Sequence, residues 1–213
     1  MSRPAVNFRL YLITDRKNTR GREISFVVEE ALKGGVQAVQ LREKDLASRD
    51  LYTAAYELRK LTARHDAKLF INDRIDIALA VDADGVHLGN SSIPMHRARK
   101  ILGENRLIGV SCHNTVSAIN AQENGADFIT FGPVYYTPSK AVYGNPVGVD
   151  KLEAVVELLR IPVFALGGVN RKNAPRVIEA GAHGIALVSA VMAAECPHEE
   201  TKSLLSLFPA RED

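Results

Sequence analysis

The sequence predicts a single (β/α)8 barrel, or TIM barrel, that spans residues 1–213, and two observations lead to this fold class. Eight short apolar runs recur along the chain, each ending in a polar cluster and followed by a helical stretch. Most of the runs are continuously apolar, as expected for parallel strands buried on both faces. In this barrel the polar tips of all the strands meet on one face, where the chemistry takes place.

The apolar runs define the strands and the stretches between them define the helices. We place the strands at residues 10–14, 38–42, 68–72, 85–88, 107–111, 128–131, 163–166 and 184–188. Helices are predicted at 24–33, 49–65, 94–102, 115–124, 149–159 and 173–180, most of them ending at or just before a glycine or a proline. We find no linker and no low-complexity segment, so a single domain is expected.

Composition narrows the class of protein. The net charge of +2 is too small to indicate nucleic acid or an anionic membrane as a partner, and no apolar run is long enough to cross a bilayer. Residues 1–9 contain no hydrophobic signal core, and Cys112 and Cys196 have no metal-binding or disulfide spacing. We therefore expect a cytoplasmic protein, with a symmetric homodimer as the default assembly.

The tip after the second strand carries Gln40, Arg42 and Lys44, which alternation directs toward the barrel axis and its mouth. Two cations and an amide at this place favour a bound phosphate or diphosphate, because buried charges are costly unless they are paired. The alternative is an internal salt bridge to Glu43 or to a carboxylate on a neighbouring strand.

The next two tips carry oxygen donors. Asn72 and Asp73 follow the third strand, and Asp73 could hold Mg²⁺ together with substrate phosphate oxygens, or could simply pair with the cations of the second tip. Ser91 and Ser92 follow the fourth strand, and either of them is a plausible cap for the helix predicted at 94–102.

The fifth and sixth tips add hydroxyls and a third cation. Ser111 could donate to a phosphate, whereas His113 fits a hydrogen-bonded loop histidine better than an acid or a base. The sixth tip is the longest and contains Thr137, Ser139 and Lys140. Loops of this length are usually functional, so we expect a phosphate clamp here; the alternative is a solvated surface turn.

The seventh and eighth tips have the position of a phosphate site found in many barrels, where backbone N–H groups and a helix N-terminus bind the anion. Gly167 and Gly168 follow the seventh strand, and Val188 and Ser189 follow the eighth. With the tips on the opposite side, these loops predict two anion sites and a reaction that joins two phosphorylated molecules.

In order along the chain, the motifs at 12–15, 40–44, 71–74, 85–89, 109–113, 131–140, 165–169 and 184–190 resemble those of the thiamin phosphate synthase family, which includes the related thiazole tautomerases. The resemblance covers nearly the whole chain. It implies a transferase with this barrel fold. The enzyme would join 4-amino-2-methyl-5-hydroxymethylpyrimidine diphosphate to a thiazole phosphate with Mg²⁺ and would release diphosphate.

The resemblance also implies a role for each matching residue. Asp73 would bind Mg²⁺, and Arg42, Lys44 and Lys140 would stabilise the departing diphosphate. The pyrimidine diphosphate would be held by Gln40, Arg42, Lys44, Asn72, Ser111 and Lys140. The thiazole phosphate would be held by Thr137, Ser139, Gly168, Val188 and Ser189.

One departure from the family pattern concerns the metal. The family has Gln, any residue and a metal-binding Asp after the glycine of the fourth tip, whereas this chain has Asn90, Ser91 and Ser92. Two other functions therefore stay open, a thiazole tautomerase and a non-catalytic barrel that binds thiazole or thiamin phosphate. The tautomerases carry a His near Pro133, and Pro133 itself matches the synthases.

Overall fold

Eight parallel strands form a closed barrel in the computed structural model, which describes residues 3–137 and 145–209. Each strand pairs with its neighbours in chain order, and the last pairs with the first. The strands are β1 Leu10–Ile13, β2 Ala38–Leu41, β3 Lys68–Asn72, β4 Gly85–Leu88, β5 Leu107–Cys112, β6 Phe128–Phe131, β7 Val163–Leu166 and β8 Gly184–Leu187. The predicted fold class is confirmed, with every strand end within one residue of its predicted place.

Helices cover the outside of the barrel and follow the strands in turn. They are α1 Ile24–Lys33, α2 Ser48–Arg64, α3 Ile75–Ala80, α4 Met95–Leu102, α5 Thr115–Glu123, α6 Val149–Leu158, α7 Ala174–Glu179, α8 Ser189–Met192 and α9 Pro197–Leu205, with a short 3-10 helix at Arg16–Asn18. Helices α3, α8 and α9 were not predicted from the sequence. Two of these are only one or two turns long, too short for helical periodicity to show.

The lower interior of the barrel is filled by aromatic rings. Phe8, Tyr11, Phe70, Phe128 and Phe164 have no solvent-exposed surface and pack with ring centroids 4.9–6.1 Å apart. Edge-to-face contacts such as that of Tyr11 with Phe128, at 5.4 Å, suit the ring quadrupoles. The rings close the amino-terminal end, so the open mouth lies at the carboxyl ends of the strands.

A layer of polar side chains lies two residues nearer the carboxyl ends. Gln40, His87 and Thr130 are almost fully buried there. Gln40 Nε2 donates to the Tyr11 hydroxyl over 3.0 Å, and that hydroxyl lies 3.3 Å from His87 Nδ1. On its other side, His87 Nε2 lies 3.0 Å from the Ser111 hydroxyl. The polar layer therefore forms the floor beneath the polar tips.

Burial keeps the imidazole of this layer neutral. Loss of solvation lowers the pKa of His87 from 6.5 to about 3. The positive charge of Arg42 lowers the pKa further, while the carboxylate of Asp73 raises it. The imidazole is consequently uncharged at neutral pH and carries one N–H.

Space beside this imidazole is available because residue 109 is glycine. A Cβ at Gly109 would lie 2.3 Å from Phe128 Cζ and 2.6 Å from His87 Nδ1. We expect Gly109→Ala to lower the free energy of unfolding by about 1–3 kcal/mol through overpacking. Gly89→Ala is the matched control, since its nearest neighbour would be 4.0 Å away. Urea unfolding of both variants tests this, and equal effects would contradict it.

The neutral His87 predicts a specific loss of stability in acid. The unfolded chain binds a proton at its imidazole below about pH 6.5, whereas the folded protein does not until about pH 3. The contribution of the neutral His87 to the free energy of unfolding is therefore fully present above pH 6.5. Below that pH it falls by about 1.4 kcal/mol per pH unit. The free energy of unfolding, measured with urea at pH 6.5 and 5.0, should fall less steeply with decreasing pH in His87→Gln, by this amount per pH unit. His96→Gln, on the exposed face of α4, is the control for loss of an imidazole.

Candidate active site

An ion pair at the mouth of the barrel joins the tips of β1 and β2. Glu43 is 6% exposed; its Oε2 accepts from Arg16 Nη1 over 3.1 Å and its Oε1 accepts from the Thr14 hydroxyl over 2.8 Å. Arg16 also forms a two-pronged pair with Asp45, with distances of 2.6 and 3.1 Å. The negative charge of Glu43 is thus neutralised by a residue of the β1 tip.

Arg42 and Lys44 flank that glutamate without pairing with it. Within residues 3–137 and 145–209, neither side chain forms a salt bridge. The backbone N–H of Arg42 donates to the Thr14 hydroxyl over 2.9 Å, which fixes the start of this tip. The expected alternative, an internal salt bridge to Glu43, is therefore wrong, because Arg16 occupies that carboxylate.

Oxygen donors gather at the tips of β3 and β4. The carboxylate of Asp73 accepts from Asn72 Nδ2 over 2.8 Å and from the hydroxyl of Ser92. The backbone N–H of Gly89 donates to the same hydroxyl over 2.7 Å. Asp73 has a positive φ of 60°, a backbone conformation that costs energy outside glycine and recurs at functional sites.

The serine at this place is not a helix cap. Helix α4 begins at Met95, with Pro94 at its N-cap position, so Ser92 lies outside it and contacts Asp73 instead. Ser92 therefore does not make the predicted capping interaction. Its hydroxyl pairs instead with the Asp73 carboxylate at the mouth of the barrel.

The oxygen donors fit a cation that a ligand helps to hold. Among the residues that the structure describes, no three His, Cys, Asp or Glu side chains form a metal-binding group. Mg²⁺ commonly takes one or two carboxylates and completes its six ligands with phosphate oxygens and water. Asp73, with the Ser92 hydroxyl beside it, could supply the protein's part of such a set.

The polar floor connects the tips of β2, β4 and β5. Ser111 is half-buried, and its hydroxyl contacts the fully buried His87, which in turn reaches Gln40 through Tyr11. Arg42 lies near enough to His87 to affect its pKa. The structure thus brings together Gln40, Arg42 and Ser111, as the sequence analysis predicted.

The opposite side of the mouth is formed by the tips of β6, β7 and β8. A Cβ at Gly168 would lie 2.7 Å from Tyr135 Cβ, so glycine allows the β6 tip to pack against the β7 tip. The carbonyl of Gly168 accepts from Asn173 Nδ2 over 3.0 Å. This glycine therefore serves loop packing, in addition to any contact with an anion.

The remaining predicted residues of this side differ in how far they are described. Val188 is the N-cap residue of α8 and Ser189 is its first residue, so the backbone N–H groups of this turn begin at the mouth. Thr137 is half-buried at the end of a described segment. Ser139 and Lys140 lie outside the described residues.

Two residues with reactive side chains are held in structural roles. Cys112 is buried, and burial raises the pKa of its thiol to about 12. His113 Nδ1 lies 2.6 Å from the carbonyl oxygen of Gly132. The contact of His113 agrees with its interpretation from sequence as a hydrogen-bonded loop histidine.

Several residues outside the predicted binding set support the site. Thr14 and Glu43 brace the β2 tip, while Tyr11, His87 and Thr130 build the floor. Tyr11, His87 and Thr130 occupy interior-facing positions of their strands. Polar residues at those positions of predicted strands are the signal that could have identified them.

No helix in the described ranges combines the length and the apolar character that a membrane crossing requires.

Comparison with known proteins identifies relatives along almost the entire chain. The family described as thiamine monophosphate synthase matches residues 10–191. A Geobacter sulfurreducens protein, whose name gives thiamine-phosphate synthase as a provisional assignment, is 57% identical over 206 residues, 97% of each chain. The thiamine-phosphate synthase of Clostridium novyi is 43% identical over 202 residues, 95% of this chain and 99% of that one.

Solved structures agree with the sequence relatives. The thiamine phosphate pyrophosphorylase of Pyrococcus furiosus is 40% identical and superposes with a TM-score of 0.87 over 94% of this chain and 95% of that chain. A 3-hexulose-6-phosphate synthase, 19% identical with a TM-score of 0.67 over 94% and 100% of the two chains, shares the barrel fold alone. The chain therefore belongs to the thiamine monophosphate synthase family, a family of transferase enzymes.

Proposed function

We propose that the protein is a thiamin phosphate synthase. It couples 4-amino-2-methyl-5-hydroxymethylpyrimidine diphosphate with thiazole phosphate and releases thiamin phosphate and diphosphate. The reaction is a dissociative substitution assisted by Mg²⁺. Family membership and the names of relatives 43% and 40% identical support the activity.

The observation that carries the proposal is the absence of a carboxylate partner for Arg42 and Lys44 within residues 3–137 and 145–209. Glu43 lies between them in sequence but is neutralised by Arg16. Arg42, which lies near the buried His87, and the exposed Lys44 of the same tip are left available, and two such cations suit a ligand with several negative charges. A diphosphate has that charge, and Gln40, Asn72 and Ser111 lie on β2, β3 and β5 toward the same end of the barrel.

In the proposed reaction, one set of residues acts on the leaving group and another set places the nucleophile. The bond between the pyrimidine methylene carbon and oxygen breaks, and its electron pair leaves with the diphosphate. Arg42 and Lys44, joined by Lys140 from outside the described residues, stabilise the charge that develops there. Asp73 would hold Mg²⁺, which when bound reduces that charge further.

The opposite tips place the second substrate. We propose that Thr137, Ser139, Gly168, Val188 and Ser189 bind the phosphate of the thiazole. The thiazole nitrogen then donates its lone pair to the pyrimidine methylene cation and forms the new C–N bond. When both partners are held at one mouth, a bimolecular encounter becomes a step within one complex. The protein then contributes by lowering the entropic part of the barrier.

This reaction needs no side chain as base or nucleophile. The absence of such a need agrees with the buried thiol of Cys112 and with the hydrogen bond between His113 and the Gly132 carbonyl. A thiazole tautomerase, in contrast, must move protons. The environment of these two side chains therefore favours the synthase.

Release of diphosphate is the first test. Purified protein with both phosphorylated substrates should release diphosphate in Mg²⁺, and should not when a chelator is added or the thiazole phosphate is omitted. Binding of thiazole phosphate without any release would contradict the synthase. Aromatisation of a thiazole phosphate would then support the tautomerase, and binding without either reaction the non-catalytic barrel.

Removing Arg42, one of the two cations of the β2 tip, should slow the transfer strongly. We expect Arg42→Gln to lower kcat/KM for diphosphate release by about 10²–10³-fold, the size typical of one charge-stabilising donor. Arg64→Gln is the matched control, because Arg64 is exposed at the far end of α2. Equal activity of the two variants would argue against a diphosphate at this tip.

Adding a carboxylate at position 92 should strengthen the metal site. We expect Ser92→Asp to lower the Mg²⁺ concentration for half-maximal binding by on the order of tenfold, which corresponds to about 1.4 kcal/mol of added attraction. Ser91→Asp adds the same charge at the neighbouring exposed residue and should change binding little. Titration calorimetry with inorganic diphosphate present measures both. Unchanged Mg²⁺ affinity in Ser92→Asp would place the metal elsewhere.

A further inference from the structure

The polar floor of the site is a chain of hydrogen bonds whose direction can be worked out. It runs from Gln40 Nε2 to the Tyr11 hydroxyl over 3.0 Å and from that hydroxyl to His87 Nδ1 over 3.3 Å. It continues from His87 Nε2 to the Ser111 hydroxyl over 3.0 Å. Tyr11 and His87 are 0% and 2% exposed, so each must satisfy its hydrogen-bonding groups within the protein.

The first half of the chain follows from the chemistry of its donors. An amide nitrogen can only donate, so the Tyr11 oxygen accepts from Gln40. Its own hydrogen then needs an acceptor, and His87 Nδ1 is the acceptor within reach. Nδ1 therefore carries the lone pair of the ring.

The second half follows from the two nitrogens of the ring. An imidazole that keeps one nitrogen as a bare acceptor carries a single hydrogen, on the other nitrogen. With Nδ1 accepting, that hydrogen is on Nε2, which donates to the Ser111 hydroxyl at 3.0 Å, and Thr130 Oγ1 lies farther away at 3.4 Å. Ser111 is thus an acceptor toward the floor, and its own hydrogen is left to donate.

We propose that Tyr11 and His87 are positioning residues that fix the direction in which Ser111 donates, so that its hydroxyl hydrogen points to the anionic diphosphate. The proposal rests on the proposed function, which places the diphosphate at Ser111. A serine hydroxyl can donate or accept, whereas an anion binds only a donor. Orienting the hydrogen before the substrate arrives removes part of the ordering cost of binding.

The ring tautomer gives a test that does not depend on activity. Nitrogen-15 NMR of the unliganded protein at pH 7.5 should show His87 with its hydrogen on Nε2 and a bare Nδ1, and His87→Gln assigns the signals by their loss. In Tyr11→Phe the hydroxyl is absent, so we expect hydrogen to appear on Nδ1 in part or all of the molecules. Hydrogen on Nδ1 in the wild-type protein, or an unchanged tautomer in Tyr11→Phe, would overturn the proposal.

A double-mutant cycle tests the link to Ser111. The probe is inorganic diphosphate with Mg²⁺, measured by calorimetry on wild type, Tyr11→Phe, Ser111→Ala and the double variant. We expect each single change to weaken binding about threefold to tenfold, the size of one hydrogen bond. The double variant should bind no more weakly than Ser111→Ala, because Tyr11 acts through that hydroxyl.

The remaining outcomes have separate meanings. If the two losses multiply, Tyr11 acts through Gln40 or through packing, and the positioning role is wrong. The expected tautomer and coupling together with no diphosphate release from the natural substrates would instead contradict the proposed function alone. Thermal melting of Tyr11→Phe verifies that the variant is folded before either measurement is interpreted.

Discussion

Closure of eight parallel strands is the constraint on which the rest of this structure depends. Strands that run in the same direction and pair around a ring place their interior side chains in levels, because each strand alternates with a period of two. The lower level holds aromatic rings such as Phe70 and Phe128, and the next level holds Gln40, His87 and Thr130. Polar residues that would be costly in an isolated core are satisfied here by one another, directly beneath the mouth.

The distribution of charge at the mouth follows from one buried carboxylate. Glu43 needs partners because burial of an unpaired charge is expensive, and Arg16 and Thr14 supply them from the neighbouring strand. This pairing leaves Arg42 and Lys44 available to an anion and anchors the tip that carries them through the Arg42 N–H. Glu43, the carboxylate of a structural ion pair, thus lies between Arg42 and Lys44, the two cations of the proposed anion site.

The oxygen donors proposed to hold Mg²⁺ follow a different logic. A hydroxyl at position 92 contacts Asp73 where a second carboxylate would add negative charge beside an anionic substrate. In the proposed function Asp73 is the protein's carboxylate for Mg²⁺, and more of the attraction for the cation would then come from the diphosphate itself. We interpret cation and diphosphate as binding together, with Arg42 and Lys44 supplying the permanent positive charge.

The sequence by itself determined the fold class, the order and ends of the strands and the identity of the polar tips, because buried parallel strands and their connections are local patterns. It also placed Gln40, Arg42, Asn72, Asp73 and Ser111 at one mouth, since the carboxyl ends of all the parallel strands lie at the same end of a closed barrel. Only the tertiary structure decided which charges pair, as in Arg16 with Glu43, and which polar groups form the floor, as in Tyr11 with His87. Such partners are far apart in the chain, and their choice depends on distances and burial that periodicity does not encode.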